Sequence, residues 1–178
     1  SDLPYKNFNR LLKAFAKVLA NIKGQRITLV NVGRLNTAQK NLARELAVDE
    51  YIIEMAEVSD NLLTTLYNIA DVYLQPSLKE GFGFTVLEAM ACGTPVIVSR
   101  GTSLAELSGK AGIYVDPLDV DGTAEKIFEV LFSYNSLLHP SPRELRAQAE
   151  KFSWQKTAKT TVEAYKYLLN SKKNEGGQ

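Results

Sequence analysis

Two glutamates, Glu80 and Glu88, are separated by seven residues across the stretch Pro76-Ser77-Leu78-Lys79-Glu80-Gly81-Phe82-Gly83-Phe84-Thr85-Val86-Leu87-Glu88-Ala89-Met90. Gly81 and Gly83 let the backbone come close to a ligand. A helix starting near Thr85 adds free N–H groups and a positive dipole end, which together make a phosphate cradle. If a diphosphate sits there, Glu88 in the first turn must point away from it, because like charges repel. It is then left to accept hydrogen bonds from neutral hydroxyls such as those of a ribose. Glu80, across the loop, could do the same for a sugar ring or stabilise positive charge developing on it. The same residues also make sense without a ligand. Thr85-Val86-Leu87-Glu88 has the spacing of a capping box, and a first-turn glutamate suits the helix dipole. Glu80 reads equally as a solvated loop charge. Residue types alone leave both readings open.

The elements that must position this loop alternate along the chain. Phe8, Leu11, Leu12, Phe15, Val18, Leu19 and Ile22 recur at helical spacing. Arg26 to Val32 is short and β-branched and stops at Gly33, which predicts a buried strand. Asn36 to Ala47 reads as a helix and Tyr51-Ile52-Ile53 as a strand. A helix capped by Ser59 runs through Ala70, and Asp71 to Gln75 is the next strand. After the glycine loop the helix ends at Cys92, followed by strands over Pro95–Val98 and Ala111–Val115. Helices over 121–133, 142–151 and 154–169 close the chain, the second opened by a Ser141-Pro142-Arg143-Glu144 capping box. Strands joined by helices need crossovers, which predicts one doubly wound α/β domain with a parallel sheet and helices on both faces. Ligands then belong beyond the carboxyl ends of the strands, in the loops after Val32, Ile53, Gln75 and Val98. The domain is expected to cover 1–170, with 171–178 a frayed polar tail.

Bulk properties exclude several classes. A net charge of +1, from 21 basic and 20 acidic residues, gives no reason to expect nucleic acid. One cysteine, Cys92, allows no internal disulfide and fits a reducing compartment. No apolar run approaches the roughly 20 residues of a membrane span, and Ser1-Asp2-Leu3-Pro4 is no signal peptide. The expectation is a cytoplasmic protein. No His, Cys and Asp cluster has metal-ligand spacing, so no metal or other cofactor is expected. His139, before Pro140, reads as a surface residue and Cys92 as a packed thiol. Trp154, Ala158, Val162, Tyr165 and Leu169 form a helical stripe of the kind that most often faces a core. Ser103 to Glu106 is another capping-box pattern, giving Glu106 a structural role.

The run Tyr73 to Ser99, with Glu80-Gly81-Phe82-Gly83-Phe84 and Leu87 to Ile97, resembles the hallmark of glycosyltransferase family 4, retaining enzymes of the GT-B fold. Lys6-Asn7-Phe8, Val58-Ser59-Asp60, Leu66-Tyr67, Ala70-Asp71-Val72, Ala105-Glu106-Leu107 and Ala111 to Pro117 extend the similarity over residues 5 to about 134. The chain is thus similar to the family's C-terminal, donor-binding domain, a Rossmann-like half of GT-B.

The resemblance implies that Glu88 binds the ribose hydroxyls of a nucleoside diphosphate sugar and that Glu80 contacts the transferred sugar. The backbone of Gly81, Phe82, Gly83, Phe84, Thr85, Val86 and Leu87 would hold sugar hydroxyls and the distal phosphate, and Val58 and Asp60 would face the base. Lys6 matches the family's phosphate-binding lysine. A cation beside a helix N-terminus opposes the dipole unless an anion lies between them; a solvated lysine is the plain alternative. The implied reaction is hexosyl transfer with retention to a saccharide, lipid or small molecule, with UDP-hexose favoured over GDP-hexose. An N-terminal acceptor domain, absent here, would complete the enzyme and provide any attachment to the inner membrane face, so the chain alone is expected to be inactive in transfer. The family's last helix crosses toward that partner domain, so the resemblance also implies that part of the Trp154 stripe faces an interface absent here. The rival readings are a GT-B-like epimerase or phosphorylase, which the glutamate spacing disfavours, and a non-catalytic nucleotide-binding module. Three departures stand out: the chain starts too late to show the family's arginine, a few residues before Lys6, or the first strand that carries it; Thr85 replaces the family's usual proline, a tolerated variant; and, most of all, the chain has the length of one of the two GT-B domains.

Overall fold

Strands and helices alternate as the periodicities require, in a computed structural model that describes residues 3–22, 24–132 and 139–175. A 3-10 turn over Pro4–Lys6 leads into α1 (Phe8–Asn21). Then follow β1 (Leu29–Val32), α2 (Thr37–Glu45), β2 (Ile52–Met55), α3 (Asp60–Ile69) and β3 (Tyr73–Gln75). The second half holds α4 (Phe84–Cys92), β4 (Val96–Ser99), α5 (Ser103–Ser108), β5 (Ile113–Val115), α6 (Val120–Phe132), α7 (Pro142–Ala149) and α8 (Trp154–Glu175). All strand pairs are parallel. β1 pairs with β2, Leu29 opposite Ile52, and β4 lies between β3 and β5, with Leu74 opposite Ile97 and Ile97 opposite Ile113.

β4 shows why the apolar run Val96-Ile97-Val98 has no polar alternation. All its residues are buried: Val96 and Val98 face a cluster with Met90, Leu104, Leu107 and Leu145, while Ile97 faces Leu11, Val18 and Ile127 on the other side. A strand covered on both faces reads as continuously hydrophobic. Helix α1 serves two groups of strands. Leu11, Ala14 and Val18 pack with Ile97 and Val115, whereas Leu12 and Phe15 pack with Leu29, Ala43, Val48 and Ile52. Leu12 is fully buried, so Leu12→Ala should cost about 2–5 kcal/mol through lost transfer energy and the cavity left behind.

Several expectations need correction. Arg26, Ile27 and Thr28 precede β1 rather than belonging to it, and β1 is not a buried strand. Its burial alternates, leaving Val30 and Val32 exposed beside Ile53 of β2, because α1 and α2 cover one face only. Among the described residues no ladder joins β1–β2 to β3–β4–β5, so the expected single sheet is two parallel groups bridged by α1. Helix α2 is shorter than Asn36–Ala47: Asn36 is its cap, with a reciprocal Gln39 box, and Ala47 turns left-handed at φ 53°. The Ser141–Glu144 box forms as expected. The Thr85–Glu88 box does not, because Gly83 occupies the cap position and Thr85 lies inside α4. Ser103–Glu106 fails likewise, since Thr102 caps α5. Helix α7 stops at Ala149, and α8 continues to Glu175, so residues 171–175 are helical rather than frayed. Residues 133 and 176–178 lie outside the described residues. The Trp154 stripe is not core: Trp154, Ala158, Val162, Tyr165 and Leu169 are all exposed, as α8 leaves the body of the domain. His139 is half-buried, its Nε2 3.3 Å from the Glu129 carbonyl oxygen.

Candidate functional site

The loop from Pro76 to Gly83 leaves the carboxyl end of β3 and is fastened at Pro76, Ser77, Leu78 and Glu80. Asn7, left-handed at φ 60° and buried, donates its amide to the carbonyls of Pro76 at 2.9 Å and Pro117 at 2.6 Å. The Leu78 N–H donates to the Tyr5 carbonyl at 2.7 Å, and the Ser99 hydroxyl to the Ser77 carbonyl at 2.5 Å. Ser103 at the start of α5 donates to the Glu80 carbonyl at 2.9 Å. A loop tied to three other segments would lose little further entropy on taking a ligand. Gly83 ends it at φ 110°, where a Cβ would run into the Leu104 side chain. Only glycine satisfies both the backbone angle and the close approach.

Glu80 and Lys6 are brought together. The Lys6 ammonium lies 2.7 Å from Glu80 Oε2, with the carboxylate side chain 12% exposed and the lysine 29%. Gln75 Nε2 donates to the same oxygen at 2.6 Å, and Ser77 Oγ stands 3.4 Å from it. Burial by itself would raise the Glu80 carboxyl, but the hydrogen bonds from Lys6 and Gln75, the lysine charge and the Gly81 N–H outweigh it and hold the group below its ordinary value. Glu88 is exposed on α4 and accepts from the Tyr67 hydroxyl of α3 at 3.0 Å. Burial, with Tyr73 and Glu88 nearby, pushes the Tyr67 phenol far above its ordinary range, so it remains a neutral donor.

The N-terminus of α4 begins with Phe84 and Thr85, both exposed, while Val86 is buried and Leu87 half-buried. Gly81 has open space at its Cα, and the exposed Phe82 and Phe84 rings pack together at 4.7 Å. Trp154 stacks on Phe84 at 5.7 Å. Val58 is half-buried just before α3 and Asp60 is its exposed first residue, both beyond the carboxyl end of β2. The arrangement brings a cation from the Pro4–Lys6 turn to an ionised carboxylate on the loop that leads into the N-terminus of α4, with a second carboxylate on that helix. That combination can hold an anion next to a polyhydroxylated group.

The model of glycosyl transferases group 1 matches residues 2–152. The chain belongs to the glycosyl transferases group 1 family. Among its relatives, O-antigen chain mannosyltransferase B of Escherichia coli is 42% identical over 123 residues, covering 66% of this chain and 31% of that protein. The MMP alpha-(1->4)-mannosyltransferase of Mycolicibacterium hassiacum is 33% identical over 172 residues, covering 95% of this chain and 42% of the relative. This group 1 chain therefore spans less than half the length of these curated relatives. An Anabaena protein solved in complex with UDP and glucose superposes with a TM-score of 0.78 at 19% identity, covering 93% of this chain and 46% of that one. Sucrose-phosphate synthase of Thermosynechococcus elongatus gives a TM-score of 0.77 at 24% identity, covering 95% and 44%. At that identity the likeness establishes the fold: a Rossmann-like half of the GT-B architecture. Among the described residues no helix is long and apolar enough to cross a membrane.

Sequence reasoning assigned no role to Gln75 or to the tyrosine hydroxyls of Tyr67 and Tyr73, and it read Ser103 only as a helix cap. A signal existed for Gln75, a polar residue ending an apolar strand directly before the loop. The tyrosines sit at helix and strand positions indistinguishable from ordinary core.

Proposed function

We propose that this chain is the donor-binding half of a retaining hexosyltransferase and binds a nucleoside diphosphate sugar over the loop from Glu80 to Leu87. Lys6 and the α4 N-terminus take the diphosphate, Glu80 the hydroxyls of the transferred sugar, Glu88 the ribose, and Val58 with Asp60 the base. The observation that carries the reading is the Lys6–Glu80 ion pair at 2.7 Å on the loop that feeds α4. Each partner is the complement of one part of such a donor: an ammonium for the diphosphate and a carboxylate for sugar hydroxyls. The carboxylate's lowered pKa keeps it an acceptor at neutral pH. Among the described residues no group of three His, Cys, Asp or Glu converges to hold a metal ion. By the family 4 resemblance, Lys6 and the helix dipole are assigned the neutralisation of the leaving diphosphate, a task divalent cations perform elsewhere.

The names of the relatives make mannose the first sugar to test, with UDP and then GDP as the carrier. Retention and the placement of this chain as the C-terminal half rest on the family 4 resemblance of the glutamate pair, and an N-terminal domain of the same protein would select the acceptor. The test is turnover of UDP- and GDP-linked glucose and mannose by the intact protein, with product anomers and epimers resolved by NMR. Transfer with retained configuration, lost in Glu80→Gln while nucleotide still binds, is the expected result. Inverted product, epimerised donor, or wild-type transfer by Glu80→Gln would contradict it.

A further inference from the structure

Gln75 ends β3 with its side chain buried. Its Nε2 donates to Glu80 Oε2 at 2.6 Å, while its Oε1 accepts from the Tyr73 hydroxyl at 2.7 Å and the Thr85 hydroxyl at 2.8 Å. The orientation of an amide follows from its partners. Here the carboxylate decides it: an ionised carboxylate only accepts, so the NH2 must face Glu80 and the carbonyl oxygen must face the two hydroxyls. Burial, together with Glu88 and Glu80, pushes the Tyr73 phenol up to about 12, so it keeps its proton. Two hydroxyls from different elements thus orient one amide, and the amide orients one carboxylate.

Three donors approach Glu80 Oε2: Lys6, Gln75 and, at 3.4 Å, Ser77. Lys6 is the only charged one and the only one on a long flexible stem. On the reading above it is drawn to the diphosphate when donor arrives. The carboxylate then keeps the backbone N–H of Gly81 and, as its one close side-chain donor, Gln75, since the 3.4 Å contact from Ser77 is marginal. Thr85 is the second residue of α4, so the helix terminus assigned to the phosphate also carries the hydroxyl that turns the amide. We propose, resting on that reading, that Gln75, oriented by Tyr73 and Thr85, is a positioning residue that holds the Glu80 carboxylate against the sugar after Lys6 has moved to the diphosphate. Thr85 is then more than a tolerated substitute for proline, which has no hydroxyl to donate.

The role is tested in the intact transferase with Gln75→Met, close in shape but without the amide, and Thr85→Val. Four quantities are read: kcat for the donor sugar, nucleotide Kd, the acidic limb of the kcat–pH profile, and Tm. Around Glu80 the groups that matter are Lys6 from the first turn, Tyr73 and Gln75 from β3, Thr85 from α4, and Glu88 behind Tyr73. Removing the Gln75 donor takes away stabilisation of the ionised carboxylate, so the acidic limb moves to higher pH. Gln75→Met is expected to lower kcat by about tenfold or more, the size of one charge-assisted hydrogen bond, with nucleotide Kd within about twofold. Thr85→Val is expected to move kcat and the acidic limb the same way by less, and it carries the test alone if Gln75→Met does not fold. Unchanged kcat and acidic limb in a folded variant, beside a wild type that binds and turns over donor, would overturn the positioning role alone. A wild type that binds no nucleotide would overturn it together with the donor-site reading.

Discussion

Lys6 and Glu80 lie 74 residues apart in the chain and meet at 2.7 Å, so the first turn of the domain is locked to its glycine loop by an ion pair. Asn7 and Tyr5 reinforce the same junction from either side, through Pro76 and Leu78. Without donor the cation and the carboxylate satisfy each other, which avoids a half-buried unpaired charge. On the proposed reading, donor binding would give Lys6 the diphosphate and leave Glu80 to the sugar hydroxyls. On that reading the site is assembled before ligand arrives and would change partners rather than shape.

Acid should loosen this junction. The Glu80 carboxyl is held below its ordinary 4.5, and so are Glu54, through the Leu35 N–H and Lys40, and Glu144, through Ser141. A carboxyl with a lowered folded pKa adds stability that is present above its unfolded pKa and fades as pH falls through the folded one. Denaturant unfolding should lose free energy as pH drops below that ordinary value. Glu80→Gln should start lower at neutral pH and converge on wild type in acid. A constant gap between the two across the titration would contradict the assignment.

The two loop glycines should behave differently. Gly83→Ala meets both a positive φ and the Leu104 side chain and should cost about 1–3 kcal/mol of stability. Gly81 has nothing within 4 Å of an added Cβ and no positive φ, so Gly81→Ala should stay within about 0.5 kcal/mol. Chemical denaturation of both variants decides it.

The single tryptophan reports on the loop. Trp154 is 72% exposed and stacks on Phe84, the first residue of α4, at 26° between ring planes. Filling the helix N-terminus should change its fluorescence, and Phe84→Ala should remove most of that response while nucleotide still binds. An undiminished response in the variant would show that the signal arises elsewhere.

These features were unevenly legible in the sequence. Element order was readable because Gly33, Gly93, Pro95 and the Ser141 box punctuate the chain locally. The glutamate pair was readable because both residues share one short segment. Gln75 was missed because its meaning lies in Glu80, Tyr73 and Thr85 converging on a single amide, which spacing does not reveal. The Thr85 capping box was misplaced because Gly83, with no side chain to signal it, caps the helix by its backbone angle. The core reading of the α8 stripe failed because a helical period shows only that a face is apolar, not what covers it. Val30 and Val32 failed as core for the same reason: a β-branched run identifies a strand but not whether both faces are packed.

Tyr67→Phe removes one oxygen from a ring that stays buried against Tyr73. It leaves Glu88 without its donor from α3. Nucleotide affinity should fall by about 0.5–1.5 kcal/mol, with little pH dependence near neutrality because the phenol does not ionise there. An unchanged nucleotide Kd would show that Glu88 needs no support from α3.

The central claim is that the loop and α4 form a nucleotide-sugar site with Glu88 on the ribose. Calorimetric titration with UDP, GDP and ADP, of wild type and of Glu88→Ala, tests it most directly. Saturable binding of one nucleotide, weakened by about 1–3 kcal/mol in the variant with Tm unchanged, is the predicted result. Equal affinity in wild type and Glu88→Ala, or binding of none of the three by the intact protein, would contradict it.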